Sequence, residues 1–322
     1  MGKVFALKSL SKRFGSVLAN DRVSLDLHQG EVLALLGENG SGKTTLMNML
    51  FGHYLPDSGT IDVADHDGVL QPMPLGQPQI ALAKGIGMVH QHFTLAENLN
   101  ALENIMMGTE RLTALRWQTA AGRDKLNRIM DETGLRAPLD VTVGRLSVGE
   151  RQRIEILKAL YRDVRILVLD EPTAVLTPQE ADALFENIHT MAAAGLSVIF
   201  ISHKLREVLS FSQRIVVLRQ GINVGELITK QTNEAEIANL MVGSGVLLAA
   251  RDDVTPGETV LKIDRAGVSG YSKRDTLQDL SLEARAHEIL GIAGVSGNGQ
   301  TGLAGLIAGL KRPVTGSIAV DG

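Results

Sequence analysis

Short stretches of this 322-residue chain are apolar without interruption, among them Val32-Leu-Ala-Leu-Leu36, Ile166-Leu-Val-Leu169 and Val198-Ile-Phe-Ile201. Continuous rather than alternating apolar residues suit parallel strands covered on both faces. Helical patterns follow or separate them, at Lys43–Phe51, Pro178–Met191 and Lys204–Leu209. Strand–helix alternation predicts an α/β fold on a mostly parallel sheet. The stretch Ala6–Leu27 alternates more and is rich in turn formers, predicting an antiparallel β subdomain beside that sheet. Leu99–Leu146 shows no strand pattern and reads as a mostly helical insertion.

Comparing the chain with itself adds a second feature. Ser24-Leu25, Glu31, Gly37, Gly40, Gly42, Gly59 and Ile61 recur as Ser281-Leu282, Glu288, Gly294, Gly297, Gly299, Gly316 and Ile318, all at one offset of 257 residues. An unbroken offset over that span marks a duplicated unit. The expected organisation is a first domain over 1–243, a Gly/Pro/Asp-rich linker over 244–257, and an incomplete second copy over 258–322.

Composition narrows the partners. With 44% hydrophobic and 21% charged residues the chain reads as globular and soluble. A net charge of -4 and a pI near 6.1 give no reason to expect nucleic acid or an anionic membrane as the main partner. The absence of cysteine excludes a disulfide framework and thiolate metal sites, and fits a reducing compartment. No apolar run approaches the ~18 residues that cross a bilayer, and charges interrupt Met1–Arg13 too early for a signal peptide. Any membrane role is therefore expected to come through a partner.

The chemistry is concentrated in a few motifs. Directly after the first apolar run, Gly37, Glu38, Asn39, Gly40, Ser41, Gly42, Lys43 and Thr44 complete a G-x-x-x-x-G-K-T loop, with Thr45 following. Its glycines let the backbone wrap a polyphosphate with N–H groups pointing inward at a helix N-terminus. Lys43 supplies a cation for the outer phosphates and Thr44 a hydroxyl for magnesium, so ATP with Mg2+ is the expected ligand. A plain Gly-rich turn would not require the lysine. The second run ends in Asp170-Glu171. In P-loop enzymes an aspartate there holds the magnesium shell, and the adjacent glutamate can orient or deprotonate the attacking water. A capping role for the pair is the alternative, since Pro172 and Thr173 follow. Ser147, Val148, Gly149 and Glu150 have S-x-x-E spacing, which makes a capping box and also leaves a helix N-terminus open to a phosphate.

Taken together, the phosphate loop, Gln91, Leu146-Ser-Val-Gly149, Leu169-Asp-Glu-Pro-Thr173 and Ile201-Ser-His203 resemble, in order and spacing, an ATP-binding-cassette (ABC) ATPase across Ala6–Val242. That resemblance implies that Gln91 touches the magnesium and relays nucleotide state to a membrane partner. It implies that His203 contacts the γ-phosphate and supports Glu171, and that Ser147–Glu150 complete a phosphate site in trans. Phe14 is similar in position to the aromatic that stacks on adenine, with a core phenylalanine as the alternative. Asp170-Glu-Pro-Thr-Ala-Val-Leu-Thr-Pro-Gln-Glu180 and Gly294-Val-Ser-Gly-Asn-Gly-Gln300-Thr301 resemble the tandem ATPase subunits of bacterial importers for simple sugars and nucleosides. The implied partners are transmembrane permease subunits, an extracytoplasmic solute-binding protein, and a second cassette or homodimer, with no nucleic acid. The implied location is the cytoplasmic face of the plasma membrane.

Three departures from the broad family pattern matter. The second loop, with Gly294, Gly297 and Gly299, has Gln300 where a lysine is usual, although Thr301 keeps the hydroxyl. Thr177 stands where most of the superfamily has an aspartate, and Val148 and Glu150 replace a glycine and a glutamine. Glu150 is therefore expected to turn back into its cap, since an unpaired carboxylate beside a phosphate is unfavourable. Two alternatives remain at this level: a soluble, non-transport ABC ATPase, and a truncated chain that binds ATP without efficient turnover.

Overall fold

Each uninterrupted apolar run becomes a strand because side chains at alternate positions enter two different cores. The computed structural model describes residues 2–65, 67–109, 119–243, 255–269, 276–294 and 298–320. The chain divides into two compact units, Met1–Val246 and Leu247–Gly322.

The first unit opens with the long strands β1 (Lys3–Phe14) and β2 (Val17–His28), then β3 (Val32–Leu36), helix α1 (Lys43–Phe51), β4 (Ser58–Ala64) and β5 (Leu70–Pro72). Next come α2 (Pro78–Ala83), β6 (Ile86–Val89), α3 (Ala101–Met106), α4 (Thr119–Thr133), α5 (Val148–Leu160) and β7 (Ile166–Asp170). It closes with α6 (Pro178–Ala193), β8 (Ser197–Ile201), α7 (Leu205–Phe211), β9 (Arg214–Arg219), β10 (Ile222–Ile228) and α8 (Glu234–Val242). A six-stranded sheet runs β10-β9-β3-β8-β7-β6, parallel except for the β10–β9 edge pair. A second sheet, β2-β1-β4-β5, is antiparallel throughout.

Val32, Ala34, Leu36, Leu167, Leu169, Val198 and Phe200 project to one face of the main sheet, against Ile105, Leu126, Ile154 and Phe185 of α3 to α6. Their neighbours Leu33, Leu35, Ile166, Val168, Ile199 and Ile201 project to the other, against α1, α2 and the antiparallel sheet. Each such fully buried side chain is worth roughly 1.5–3 kcal/mol, and there is no polar face to create alternation. The predicted antiparallel subdomain is thus β1, β2, β4 and β5. The predicted helical insertion contains α3, α4 and a 3-10 turn at Val143–Arg145, with no strand among its described residues.

The bounds of α1 match the sequence expectation because glycines in the left-handed region, Gly42 and Gly52, flank it. Helix α7 differs slightly, starting at Leu205 and reaching Phe211, where Phe211 stacks on Phe185 at 4.5 Å. That tertiary contact lengthens the helix beyond its local pattern.

The second unit repeats local features of the first. It contains β11 (Thr259–Val268), β12 (Leu277–Arg285), α9 (Gln300–Ile307) and β13 (Thr315–Val320), in a sheet ordered β12-β11-β13. The Ser24 hydroxyl accepts the Ser9 N–H at 3.0 Å, and Ser281 does the same for Arg265 at 2.9 Å. Glu31 accepts the His28 N–H at 2.8 Å, and Glu288 that of Arg285 at 2.9 Å. The shared letters of the repeat therefore make shared bonds. The stretch 289–293, which corresponds to β3, forms no strand; Ile289 is 90% exposed. Strand β3 is held between β8 and β9, and the described second unit has no counterpart of either.

Candidate nucleotide site

The site forms where parallel strands end, outside their carboxyl ends, as expected of an open α/β sheet. Strand β3 runs into Gly37, β7 ends at Asp170, and β8 leads into Ser202-His203. A cavity of about 400 Å³ opens there, lined by Asn39 to Thr45 together with Val17, Ala19, Gln91, Asp170, Glu171, Ile201 and His203.

The phosphate loop is shaped by glycines with no room for a side chain. Gly42 has φ +97°, and a Cβ there would press on the Ala19 carbonyl and the Asn20 side chain. Gly37 packs against the Leu218 carbonyl and Ser41. Lys43, 7% exposed, donates from Nζ to the carbonyl oxygens of Gly37 at 2.7 Å and Glu38 at 2.9 Å. Burial pushes the Lys43 ammonium below its ordinary pKa, while Glu171, Asp170 and Glu38 pull the other way.

Thr44 Oγ1 donates to Asp170 Oδ2 at 3.3 Å, joining the loop to the end of β7. Burial raises the Asp170 pKa above the usual carboxylate value, and the charge of Glu171 adds to the rise against the Thr44 bond. Glu171 follows in the left-handed region at φ +46°, unusual for a residue with a side chain. Its two carboxylate oxygens face different partners. Gln91 Nε2 donates to Oε2 at 2.9 Å, and His203 Nδ1 lies 3.2 Å from Oε1. Residues 91, 171 and 203 are thus gathered at one carboxylate facing the loop.

The other sequence expectations are placed elsewhere. Phe14 is 44% exposed, so it is not the core phenylalanine of the alternative reading. It does not line the cavity, and packs edge-on to Tyr54 at 5.3 Å. Val17 and Ala19, further along the same hairpin, line the cavity instead. Ser147, Val148, Gly149 and Glu150 also lie outside the cavity. Ser147 caps α5, and Glu150 returns its carboxylate to the Ser147 N–H and hydroxyl, both at 2.8 Å. Those bonds hold the Glu150 pKa below the usual carboxylate range. Thr177 has a similar local role, capping α6 in a box with Glu180. In the second loop, Gly299 keeps the left-handed turn before α9 at φ +89°, and Gln300 Oε1 accepts from Asn298 N at 3.1 Å. Thr301 lies in the first turn of α9, Gly294 faces the Gln300 amide, and Gly297 lies outside the described residues.

Three supporting residues were missed by sequence reasoning. Asn20 is wholly buried and donates to the Gly42 carbonyl at 3.2 Å. Glu155, on α5, accepts from the Thr94 N–H and hydroxyl, three residues beyond Gln91. Glu207, on α7, is 7% exposed. For Glu155 the available signal was its place between the buried Ile154 and Ile156; Asn20 gave none, because it opens the polar run Asn20-Asp-Arg22 in a half-exposed strand.

The loop after β3, its buried lysine and the carboxylate pair after β7 define a P-loop nucleotide-binding domain. A family profile described as ABC transporter matches residues 20–174. The chain is 41% identical to the glucose import ATP-binding protein TsgD13 of Haloferax volcanii, over 98% of this chain and 62% of that protein. It is 40% identical to the guanosine import ATP-binding protein NupO of Bacillus subtilis, over 100% and 62% respectively. The solved ADP conformation of MJ1267, an ATP-binding cassette of an ABC transporter, superposes with a TM-score of 0.65 at 25% identity, covering 76% of this chain and 96% of that one. The chain belongs to the ABC transporter family of ATP-binding proteins, and its first unit is an ATP-binding cassette. It spans about three fifths of the length of the curated relatives it matches.

Proposed function

We propose that the first unit binds and hydrolyses ATP, as one half of a cassette pair that energises import of a simple sugar or nucleoside. The observation carrying the hydrolytic reading is the Glu171 carboxylate, held between Gln91 and His203 and facing the loop that contains Lys43. The donor set fits magnesium, a hard cation that prefers oxygen ligands and shares its shell with phosphate and water. Thr44 Oγ1 and an Asp170 carboxylate already approach each other, and Nε2 donation by Gln91 leaves its amide oxygen for a cation. When bound, magnesium would neutralise developing charge on the phosphates.

In this reading the loop N–H groups and Lys43 bind the polyphosphate. Glu171 orients a water and takes its proton, and His203 fixes the Glu171 carboxylate. The water oxygen bonds to the γ-phosphorus as the bond to the β–γ bridging oxygen breaks, giving ADP and phosphate. Ser147–Gly149, exposed or lining a separate recess from the loop, would serve a partner cassette. The second unit reads as the start of another cassette, whose Gln300 provides no phosphate cation.

Membrane permease subunits and an extracytoplasmic binding protein are the proposed partners, at the cytoplasmic membrane face. Among the described residues no helix is long and apolar enough to cross a membrane. The sugar or nucleoside class rests on relatives named as import proteins for glucose, nucleosides, guanosine and ribose. The decisive experiment compares Glu171→Gln with Lys43→Ala. The first should retain binding of a fluorescent ATP analogue while phosphate release falls at least ~100-fold, the range for a lost general base. The second should lose binding. Unchanged phosphate release by Glu171→Gln would overturn the assignment.

A further inference from the structure

Glu207 takes no part in the chemistry described above, yet it is a carboxylate 7% exposed beside the two loops that carry Glu171 and His203. The Thr173 hydroxyl donates to it, lying 2.7 and 2.8 Å from its two oxygens, and the Ser202 hydroxyl donates to Oε2 at 3.0 Å. Lys204 Nζ balances the charge at 3.2 Å and donates to the Thr173 carbonyl at 2.9 Å. Thr173 and Ser202 are themselves buried. Thr173 lies two residues beyond Glu171, and Ser202 lies one before His203.

We infer that Glu207 is a positioning residue: its carboxylate ties the loop after β7 to the loop after β8 and so sets the Glu171–His203 approach. The physical need is clear from the backbone. Glu171 sits in a left-handed conformation that costs a non-glycine residue free energy, so its position must be over-determined by neighbours. The Glu171 N–H bond to the Ile201 carbonyl at 3.1 Å is one restraint. The Thr173–Glu207–Ser202 bridge is the second, and it fixes the side-chain end of both loops. A buried carboxylate with three donors is stiff, because each lost bond leaves a desolvated partner.

The inference rests on the hydrolytic reading for its consequence in turnover, but its geometry is testable without turnover. In the full chain with 15N-labelled histidine, Glu171→Gln should move the His203 ring resonances, because those side chains touch. In a Glu207→Gln or Thr173→Val background the same replacement should move them markedly less, whereas Thr173→Ser should restore the wild-type response. Thr173→Val keeps the side-chain volume and the Glu207–Lys204 pair, so it also serves if Glu207→Gln folds poorly. Phosphate release in Thr173→Val should fall about tenfold in kcat, with KM for ATP within about twofold, the signature of a contact acting on the transition state. An equal His203 response to Glu171→Gln in all backgrounds would overturn the positioning role. A wild-type chain that couples His203 to Glu171 but releases no phosphate even at concentrations where it pairs would overturn the hydrolytic reading alone.

Discussion

At the scale of single residues, the phosphate loop depends on one buried amide. Asn20 holds the Gly42 carbonyl from a neighbouring strand, and its Oδ1 has no hydrogen-bond partner among the described residues. Replacement by alanine would remove the donor and the orphan oxygen together, so a loss of only about 1 kcal/mol is expected. Asn20→Asp would instead aim a carboxylate at that carbonyl from a wholly buried position. An uncompensated buried charge costs about 3–5 kcal/mol, and urea denaturation should rank aspartate well below alanine. Gly42→Ala should fail through backbone strain combined with a Cβ collision, and calorimetry should show its nucleotide binding lost while the circular dichroism spectrum of the fold is kept.

Two helices, α5 and α6, begin with the same device, and it makes their N-termini sensitive to acid. The Ser147 and Thr177 N–H groups first, then their hydroxyls, hold Glu150 and Glu180 below the usual carboxylate pKa. Carboxyls with a depressed folded-state pKa stabilise the fold above their unfolded value, here 4.5. That contribution is lost as pH falls through the lower folded value. The pair Glu150→Gln and Glu180→Gln should therefore flatten the fall of the melting temperature below pH 4.5, with little change at pH 7, because glutamine still fits a capping box. An unchanged acid limb would show that other carboxylates control it. Helix α5 also holds the Gln91 segment, through Glu155 to Thr94 and through Arg151 to Glu97 at 3.0 Å. Glu155→Ala should remove the acceptor of the Thr94 N–H and hydroxyl and cost about 1 kcal/mol in urea denaturation.

For the whole molecule, the described side chains that line the nucleotide cavity belong to the first unit. A fragment of residues 1–243 should therefore bind an ATP analogue with the affinity of the full chain, within about twofold. Calorimetry should give one site per chain, and Gln300→Lys should not add a second. The second unit contains the turn and the helix start, but its described residues include no carboxylate pair at a strand end facing them. A second site in Gln300→Lys would mean that a phosphate loop suffices without β7 and β8. Turnover per molecule should also rise steeply with protein concentration, because the proposed active unit is a pair of cassettes.

What the sequence alone determined was set by interactions within a few residues. The glycine turn and lysine of 37–43, the capping box at Ser147, and the bounds of α1 follow from backbone dihedrals and local hydrogen bonds. The continuous apolar runs likewise announced strands covered on both faces, and an offset of 257 residues announced a duplicated unit, in which the structure gives Glu31 and Glu288 matching bonds. Tertiary structure alone decided which distant side chains meet. The parallel register that sets Asp170 opposite Ile201 carries Glu171 to His203, and the path after β6 delivers Gln91. It also sends Phe14 to Tyr54 rather than to the cavity, and closes Glu207 over Thr173 and Ser202. Such contacts depend on strand order and register, which local periodicity does not encode.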